Sequence, residues 1–179
     1  MEHNNNTTTM SASGTVETPH HNLSDKWVMY AHLPHDTNWK LESYKTILDF
    51  NKAEQAIALL ETIPDIMVNN CMLFLMRNTV KPIWEDPNNR KGGCFSFKVA
   101  SKDVVDVWKK LCYHFIGETY SSSEFFSTKT TGITISPKRN FCIIKIWMRD
   151  CTCKSVDKLI TIPNLDKKGV LFKKHIPEY

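Results

Sequence analysis

Trp39, Trp84 and Glu85 are the residues of this 179-residue chain best suited to chemistry. Trp84 and Glu85 are adjacent in VKPIWEDPNNRKGG, residues 80–93. In a strand, neighbouring side chains point to opposite faces, so an indole and a carboxylate placed there could not serve one ligand. Pro82 is disfavoured in a central strand, and Asp86-Pro87-Asn88-Asn89 and Gly92-Gly93 are turn chemistry. The pair therefore belongs to a loop and can face one target. Trp39 directly follows the polar run His35-Asp36-Thr37-Asn38 and occupies a second loop. Each loop indole could cover an edge of the core, or the two could face each other across a slot for a flat ring. A cationic ring would gain most, because the indole face is negative. A carboxylate at the slot's edge can accept two N–H groups lying in the ring plane. Guanine offers that pair, N1–H and N2–H2, and methylation at N7 makes it cationic. The pieces select N7-methylguanine, with basic side chains for attached phosphates.

A further candidate surface lies on residues 140–149, NFCIIKIWMR. Alternation puts Cys142, Ile144, Ile146 and Met148 on one face, and Phe141, Ile143, Lys145, Trp147 and Arg149 on the other. The first set belongs under helices. The second mixes aromatics with cations, which suits a surface meeting a base and its phosphates, or a solvated face whose lysine snorkels.

These residues need elements to hold them. DKWVMYAHL (25–33) and SYKTILDF (43–50) read as strands, as do 71–77, 94–99, 131–136, 140–149 and 169–176. A helix is expected after Asn51, which with Glu54 forms a capping-box-like pair. The strongest helix covers 102–116, with Ser101 as cap, Gly117 as terminator and an apolar stripe through Val104, Trp108, Leu111/Cys112 and Phe115. A third, short helix is expected around 154–161. Trp27 and Trp108 read as core. About seven or eight strands adjacent in sequence favour an antiparallel sheet. The fold class is α+β, with the helices covering one face and the other left open.

The chain has the size of one domain. Residues 1–22 are polar and of low complexity, and are expected to be a disordered tail before a domain at 23–179. No apolar run approaches a membrane span and no leader pattern is visible, so the expected address is cytoplasmic. A net charge of +4 permits a phosphate-bearing partner without requiring one. The six cysteines lack zinc spacing and read as reduced, mostly buried thiols. No glycine-rich phosphate loop, dinucleotide fingerprint or Ser–His–Asp or Cys–His set can be placed, which argues against an enzyme. No cofactor or metal is expected.

Trp39, the run Trp84-Glu85-Asp86, Arg90-Lys91-Gly92-Gly93, Phe115-Ile116-Gly117-Glu118 and Ile146-Trp147 resemble the translation initiation factor 4E family, which binds the 5′ cap of messenger RNA. The likeness runs from about His21 to Trp147 at nearly constant spacing, and more weakly to the C-terminus. The resemblance implies a curved antiparallel sheet with three helices on its convex back and the cap in its concave face. It implies that Trp39 and Trp84 sandwich the methylated guanine, that Glu85 binds N1 and N2, and that Trp147 meets the methyl group. For the phosphates, Lys138 matches a family position; Asn140 and Ile143 stand where basic residues are usual, and Arg139 and Lys145 are the candidates to compensate. The family grips a 4G-type scaffold, or binding proteins that imitate it, on its dorsal side. Here Ile57 stands where the family has a tryptophan, Lys109 and Lys110 where leucine and glutamate are usual, and His21 is followed by Asn22 instead of proline. These changes disfavour a partner suited to an acidic surface. The chain is expected to act as a monomer on capped RNA, either in initiation, as a cap-sequestering regulator, or as an interaction domain with a degenerate slot.

Overall fold

Hydrophobic alternation dictates a sheet with two unlike faces. The computed structural model describes residues 20–153 and 155–177. Strands β1 (Asn22–His32), β2 (Lys45–Lys52), β3 (Met72–Arg77), β4 (Gly93–Ala100), β5 (Thr130–Pro137), β6 (Phe141–Met148) and β7 (Leu171–Lys174) form one sheet in the order β2-β1-β3-β5-β6-β4-β7. All neighbouring pairs are antiparallel. Helices α1 (Ala53–Thr62), α2 (Asp65–Asn70), α3 (Val104–Ile116) and α4 (Glu124–Lys129) complete the regular elements. The main core lies between one sheet face and the helices. There Cys142, Ile144, Ile146 and Met148 of β6 pack with Val107, Trp108, Leu111 and Phe115 of α3. Trp27 and Trp108 are both buried in it. The opposite face carries a smaller cluster, Val28, Tyr30, Phe74, Met76, Val80 and Trp147.

The sequence reading differs from the structure at several ends. The expected tail, residues 1–19 of it, lies outside the described residues. Helix α1 starts at Ala53 without a side-chain cap. Glu54 does not reach back to Asn51; Gln55 accepts from the Asn51 N–H, at 3.4 Å, while Glu54 accepts from the His21 N–H at 3.0 Å. Ser101 does not cap α3 but opens a single 3-10 turn before it. Gly117 terminates α3, yet the left-handed residue is Glu118, at φ 54°. Two six-residue helices, α2 and α4, were not anticipated; each is shorter than a periodic pattern can reveal.

The third expected helix is absent from 155–161. Its apolar spacing serves an irregular segment that buries Val156, Leu159, Ile162 and Leu165. Its backbone groups pair with the loop at 120–122: Ser122 N–H to Lys158 O at 3.0 Å, and Ile160 N–H to Tyr120 O at 2.9 Å. Tertiary hydrogen bonding thus replaces the helical ladder. The last strand is also shorter than 169–176, because β7 pairs with β4 only from Leu171 to Lys174.

Candidate functional site

The sheet register assembles a site on the face away from the helices. Directly opposed residues in an antiparallel pair share a face, so one row runs Val28, Met76, Gly132, Trp147, Cys94, Lys173 across β1, β3, β5, β6, β4 and β7. The next row runs Tyr30, Phe74, Thr134, Lys145, Ser96, Leu171. Trp147 and Lys145 therefore do lie on the non-helical face, as alternation requires.

Two loops rise over this face. The β1–β2 loop carries Trp39, whose ring is 56% exposed and stacks on His32, centroids 4.2 Å apart and planes 2° from parallel. Short-range side-chain turns order this loop: Asn38 N–H donates to Asp36 at 2.9 Å, and Lys40 N–H donates to the Asn38 side chain at 2.9 Å. His32 in turn uses Nε2 to bond the Asn38 carbonyl at 2.8 Å.

The β3–β4 loop carries Trp84 and Glu85 and is fastened from within. Buried Asp86 accepts from the Lys81 N–H at 2.9 Å and the Asn88 N–H at 2.8 Å. Asn89, fully buried, donates to the carbonyls of Lys81 and Ile83, both at 2.9 Å, and accepts from the Thr131 hydroxyl at 2.9 Å. The loop returns to β4 through Gly92, where any Cβ would fall 1.7 Å from the Met148 carbonyl oxygen. The turn chemistry of 86–89 was legible in the sequence; the anchoring of the loop to β5 was not.

A residue outside the sequence reading closes the site. His175, just past β7, is 2% exposed. Its Nδ1 bonds the Asn89 carbonyl at 2.8 Å, and its ring stacks on Trp84 at 5.4 Å and 14°. It also leans on Trp147 at 4.9 Å. Burial holds this imidazole below its ordinary value; the Asn89 bond and Glu85 oppose that shift, and Lys145 reinforces it. The available signal was alternation, which puts His175 on the face of Lys173.

The two tryptophans thereby become the ends of one arc of rings. From Trp39 the contacts pass to His32, then to Tyr44 (5.1 Å), Phe74 (5.2 Å), Trp147 (6.3 Å), His175 (4.9 Å) and Trp84 (5.4 Å). Neither Trp39 nor Trp84 is locked in the interior: the first is exposed and the second half-buried. Glu85 is exposed beside the arc. Burial, and after it the Glu85 charge, push the Tyr44 hydroxyl up to about 12. The Glu85 charge thus bears on both Tyr44 and His175, two rings of the arc. The arc thus offers indole faces at its two ends and, beside Trp84, a carboxylate acceptor.

The basic candidates separate. Lys145 is half-buried between Thr134 and Ser96. Lys138 and Arg139 are exposed in the β5–β6 turn. Lys138 lines a recess of about 200 Å³ with Trp39, His32, Met72 and Ser136.

On the helical side, Ile57 is 50% exposed on α1. Lys109 of α3 pairs with Glu61 of α1, which also accepts from the Tyr113 hydroxyl at 2.6 Å. Lys110 pairs with Asp106 at 2.7 Å. Both lysines thus carry an internal counter-charge. His21 binds Glu54 through its N–H and, at 2.7 Å, its ring. Among the described residues no group of three or more His, Cys, Asp or Glu could hold a metal ion. None of the described helices is long and apolar enough to cross a membrane.

Comparison with known proteins bears on the fold that carries these residues. The family model for eukaryotic initiation factor 4E matches residues 22–175. A 63-residue stretch, 35% of the chain, is 40% identical to the eukaryotic translation initiation factor 4E homolog of Acanthamoeba polyphaga mimivirus, covering 23% of that protein. Over 158 residues the chain is 27% identical to eukaryotic translation initiation factor 4E of Saccharomyces cerevisiae, covering 78% of this chain and 73% of that one. The chain spans between 23% and 66% of the length of the mimivirus homologue and of the Candida relatives. Among solved structures, schistosome eIF4E complexed with m7GpppG and 4E-BP superposes with a TM-score of 0.66 at 21% identity, over 74% of each chain. C. elegans eIF4E-3 in complex with the 4E-binding protein Mextli superposes at 0.65 and 22% identity, over 75% of this chain and 78% of that one. At such identities the likeness is one of fold: a curved antiparallel sheet backed by helices.

Proposed function

This chain belongs to the eukaryotic initiation factor 4E family, and from that membership we propose that it binds the N7-methylguanosine cap at the 5′ end of messenger RNA in translation initiation. The observation that carries the reading is the arc of rings with Trp39 and Trp84 at its ends and Glu85 exposed on the same loop as Trp84. The two indoles hold the cationic base, Glu85 accepts N1–H and N2–H, and Trp147 forms the floor at the methyl group. Lys145, with Lys138 and Arg139, supplies the positive charge for the phosphates. Methylation gives the base its charge, so the indole faces discriminate it from plain guanine electrostatically. Stacking is worth about 1–3 kcal/mol per base and each charged hydrogen bond about 1.5–3 kcal/mol. The chain performs no covalent step and works as a cytoplasmic monomer. Structures similar in fold are complexes with m7GpppG and 4E-BP, or with an m7G cap, which favours the same ligand here. Retention on immobilised N7-methyl-GTP, with elution by free cap analogue but not by GTP, tests the proposal; equal elution by both nucleotides refutes it.

The dorsal face supports a second reading at the level of role. Ile57 is exposed on α1, and Lys109 and Lys110 are engaged with Glu61 and Asp106. A scaffold of the 4G type that expects tryptophan and acid there is disfavoured. On this reading the chain holds capped RNA without recruiting the usual scaffold and acts as a translational regulator. Pull-down of a 4G-type scaffold by wild-type chain, compared with an Ile57→Trp, Lys110→Glu variant, separates the two roles: capture by the variant alone supports the regulator.

A further inference from the structure

The side-chain rows of the open face continue one step beyond Tyr30, Phe74, Thr134, Lys145 and Ser96. His32 lies opposite Met72. Ser136, two residues past Thr134, lies opposite Ile143, which lies opposite Lys98. This third row carries the recess of about 200 Å³ beside Trp39. Met72 and Ser136 line it from the sheet, and Leu33 and Pro34 line it from the β1–β2 loop. His32 and Trp39 line it too, and both belong to the arc of rings, so the recess adjoins the slot.

The rim of the recess is built by a tight turn. The Asp36 N–H donates to the Leu33 carbonyl at 3.3 Å, with Pro34 second in the turn and His35 third at φ 69°. That is the pattern of a type II turn, whose third position usually takes glycine or asparagine. Leu33 is 46% exposed. Alone it would be ordinary, but with Pro34, Met72 and Trp39 it completes an apolar lining.

Size and charge narrow what the recess can take. Its volume lies below the roughly 300–1,000 Å³ of pockets for drug-sized molecules, which suits one flat ring system and not a whole nucleotide. Lys138 and Asp36 both line it, and their charges offset one another. An anion inside would meet the Asp36 carboxylate, so an uncharged group is favoured. Polar contacts are present at the edge. The Asn70 side chain, also in the lining, donates to the Ile66 carbonyl at 2.8 Å and keeps its amide oxygen as an acceptor. The Ser136 hydroxyl can donate and accept. Apolar walls, an indole and a few convergent polar groups are what a neutral nucleobase requires.

We infer that this recess receives the base of the first nucleotide after the cap. The inference rests on the cap-binding reading and adds a second base site to it, distinct from any contact with the phosphates. Rows on one face are two residues apart, about 7 Å, so the recess row lies about 14 Å along the strands from the row of Trp147. That span is open to a triphosphate bridge with its two sugars. The recess thereby favours a capped chain over the cap nucleotide alone.

The test uses the full chain and two ligands of equal charge: N7-methylguanosine joined through a 5′–5′ triphosphate to adenosine, or to a ribose without a base. Phosphate contacts cancel in the ratio of their affinities, measured by tryptophan fluorescence. Wild-type chain should bind the adenosine ligand about tenfold more tightly, the effect of one stacked base. Leu33→Ala and Met72→Ala should each bring that ratio toward one while leaving the affinity for N7-methyl-GTP unchanged. Leu33 is an exposed loop residue, so its variant keeps the fold, and its melting temperature verifies this. A wild-type ratio near one overturns the second base site and spares the slot. So does a loss in Leu33→Ala that falls equally on both ligands, which would make the loop a support for Trp39. Failure of wild-type chain to bind either ligand or N7-methyl-GTP overturns the slot and the recess together.

Discussion

The Trp39 indole lies flat on the His32 imidazole, centroids 4.2 Å apart. His32 is 2% exposed and fixed to the Asn38 carbonyl, whereas Trp39 is 56% exposed. One face of the indole is thus held by a buried, anchored ring, and most of its remaining surface meets solvent. Removing this indole should cost binding more than folding. Trp39→Ala is expected to weaken N7-methyl-GTP binding by about tenfold or more, as one stacking partner is worth about 1–3 kcal/mol. Its melting temperature should stay close to that of the wild type. Fluorescence titration and thermal unfolding together decide this; a large drop in melting temperature would assign Trp39 to stability instead.

Glu85 and Asp86 are adjacent carboxylates with opposite surroundings. Glu85 is exposed near Tyr44 and His175, while Asp86 is 6% exposed and accepts hydrogen bonds from Lys81 and Asn88. Glu85→Ala should therefore weaken N7-methyl-GTP binding by about tenfold or more, since each charged hydrogen bond is worth about 1.5–3 kcal/mol, with little change in stability. Asp86→Ala leaves buried donors unpaired, which costs about 1–3 kcal/mol, and should lower the unfolding midpoint and loosen the Trp84 loop together. Cap-column retention should fall in both variants, and urea unfolding should separate them, because only Asp86→Ala lowers the midpoint.

The legibility of the site followed the range of the interactions. Strand alternation is local, and it sorted all of β6 correctly, down to Lys145 and Trp147 facing away from Ile144 and Ile146. Turn residues are local too, and they released Trp84 and Glu85 from the strand rule. His175 escaped because its position depends on a hydrogen bond to Asn89, 86 residues away in the chain. The helix expected over 154–161 failed for a related reason. Apolar residues at 156, 159, 162 and 165 fit a helical stripe as well as a segment held by the loop at 120–122, and only tertiary pairing distinguishes them. The positive φ of Glu118 also lay beyond sequence reading, since Gly117 next to it is the residue type that would be expected there.

His175 gives the fold a defined response to acid. Burial keeps its folded value below the ordinary 6.5. The unfolded chain therefore takes up a proton near pH 6.5 that the folded chain refuses until lower pH. The stabilisation is complete above pH 6.5 and is lost as pH falls from there through the folded value, with a slope of at most about 1.4 kcal/mol per pH unit. Glu54 and Asp150, both lowered to about 2, lose their contributions only as pH falls below their ordinary 4.5 and 3.8, so they do not mask this window. His175→Asn keeps a donor for the Asn89 carbonyl without a titrating ring. Its unfolding midpoint should be flat between pH 6.5 and 5, where the wild-type midpoint declines.

Arg77, at the end of β3, joins several elements. Its guanidinium forks onto Glu118 at 2.7 and 2.9 Å, reaches Asp25 of β1 at 2.6 Å, and donates from Nε to the Thr130 carbonyl at 3.0 Å. It also lies 4.8 Å over the Trp27 ring. The side chain is 16% exposed, against 37% and 27% for its acidic partners. Arg77→Ala would leave two half-buried carboxylates and a carbonyl unpaired, and breaking such a pair costs about 3–5 kcal/mol. Arg77→Lys should recover only part of that loss, because an ammonium cannot occupy the fork and the carbonyl site at once. The dorsal pair Lys109–Glu61 is the contrast: more exposed on both sides, it is worth about 1 kcal/mol or less. Urea unfolding of Arg77→Ala, Arg77→Lys and Lys109→Ala should rank them in that order of damage. An Arg77→Ala loss as small as that of Lys109→Ala would mean that solvent, not the fork, satisfies Glu118 and Asp25.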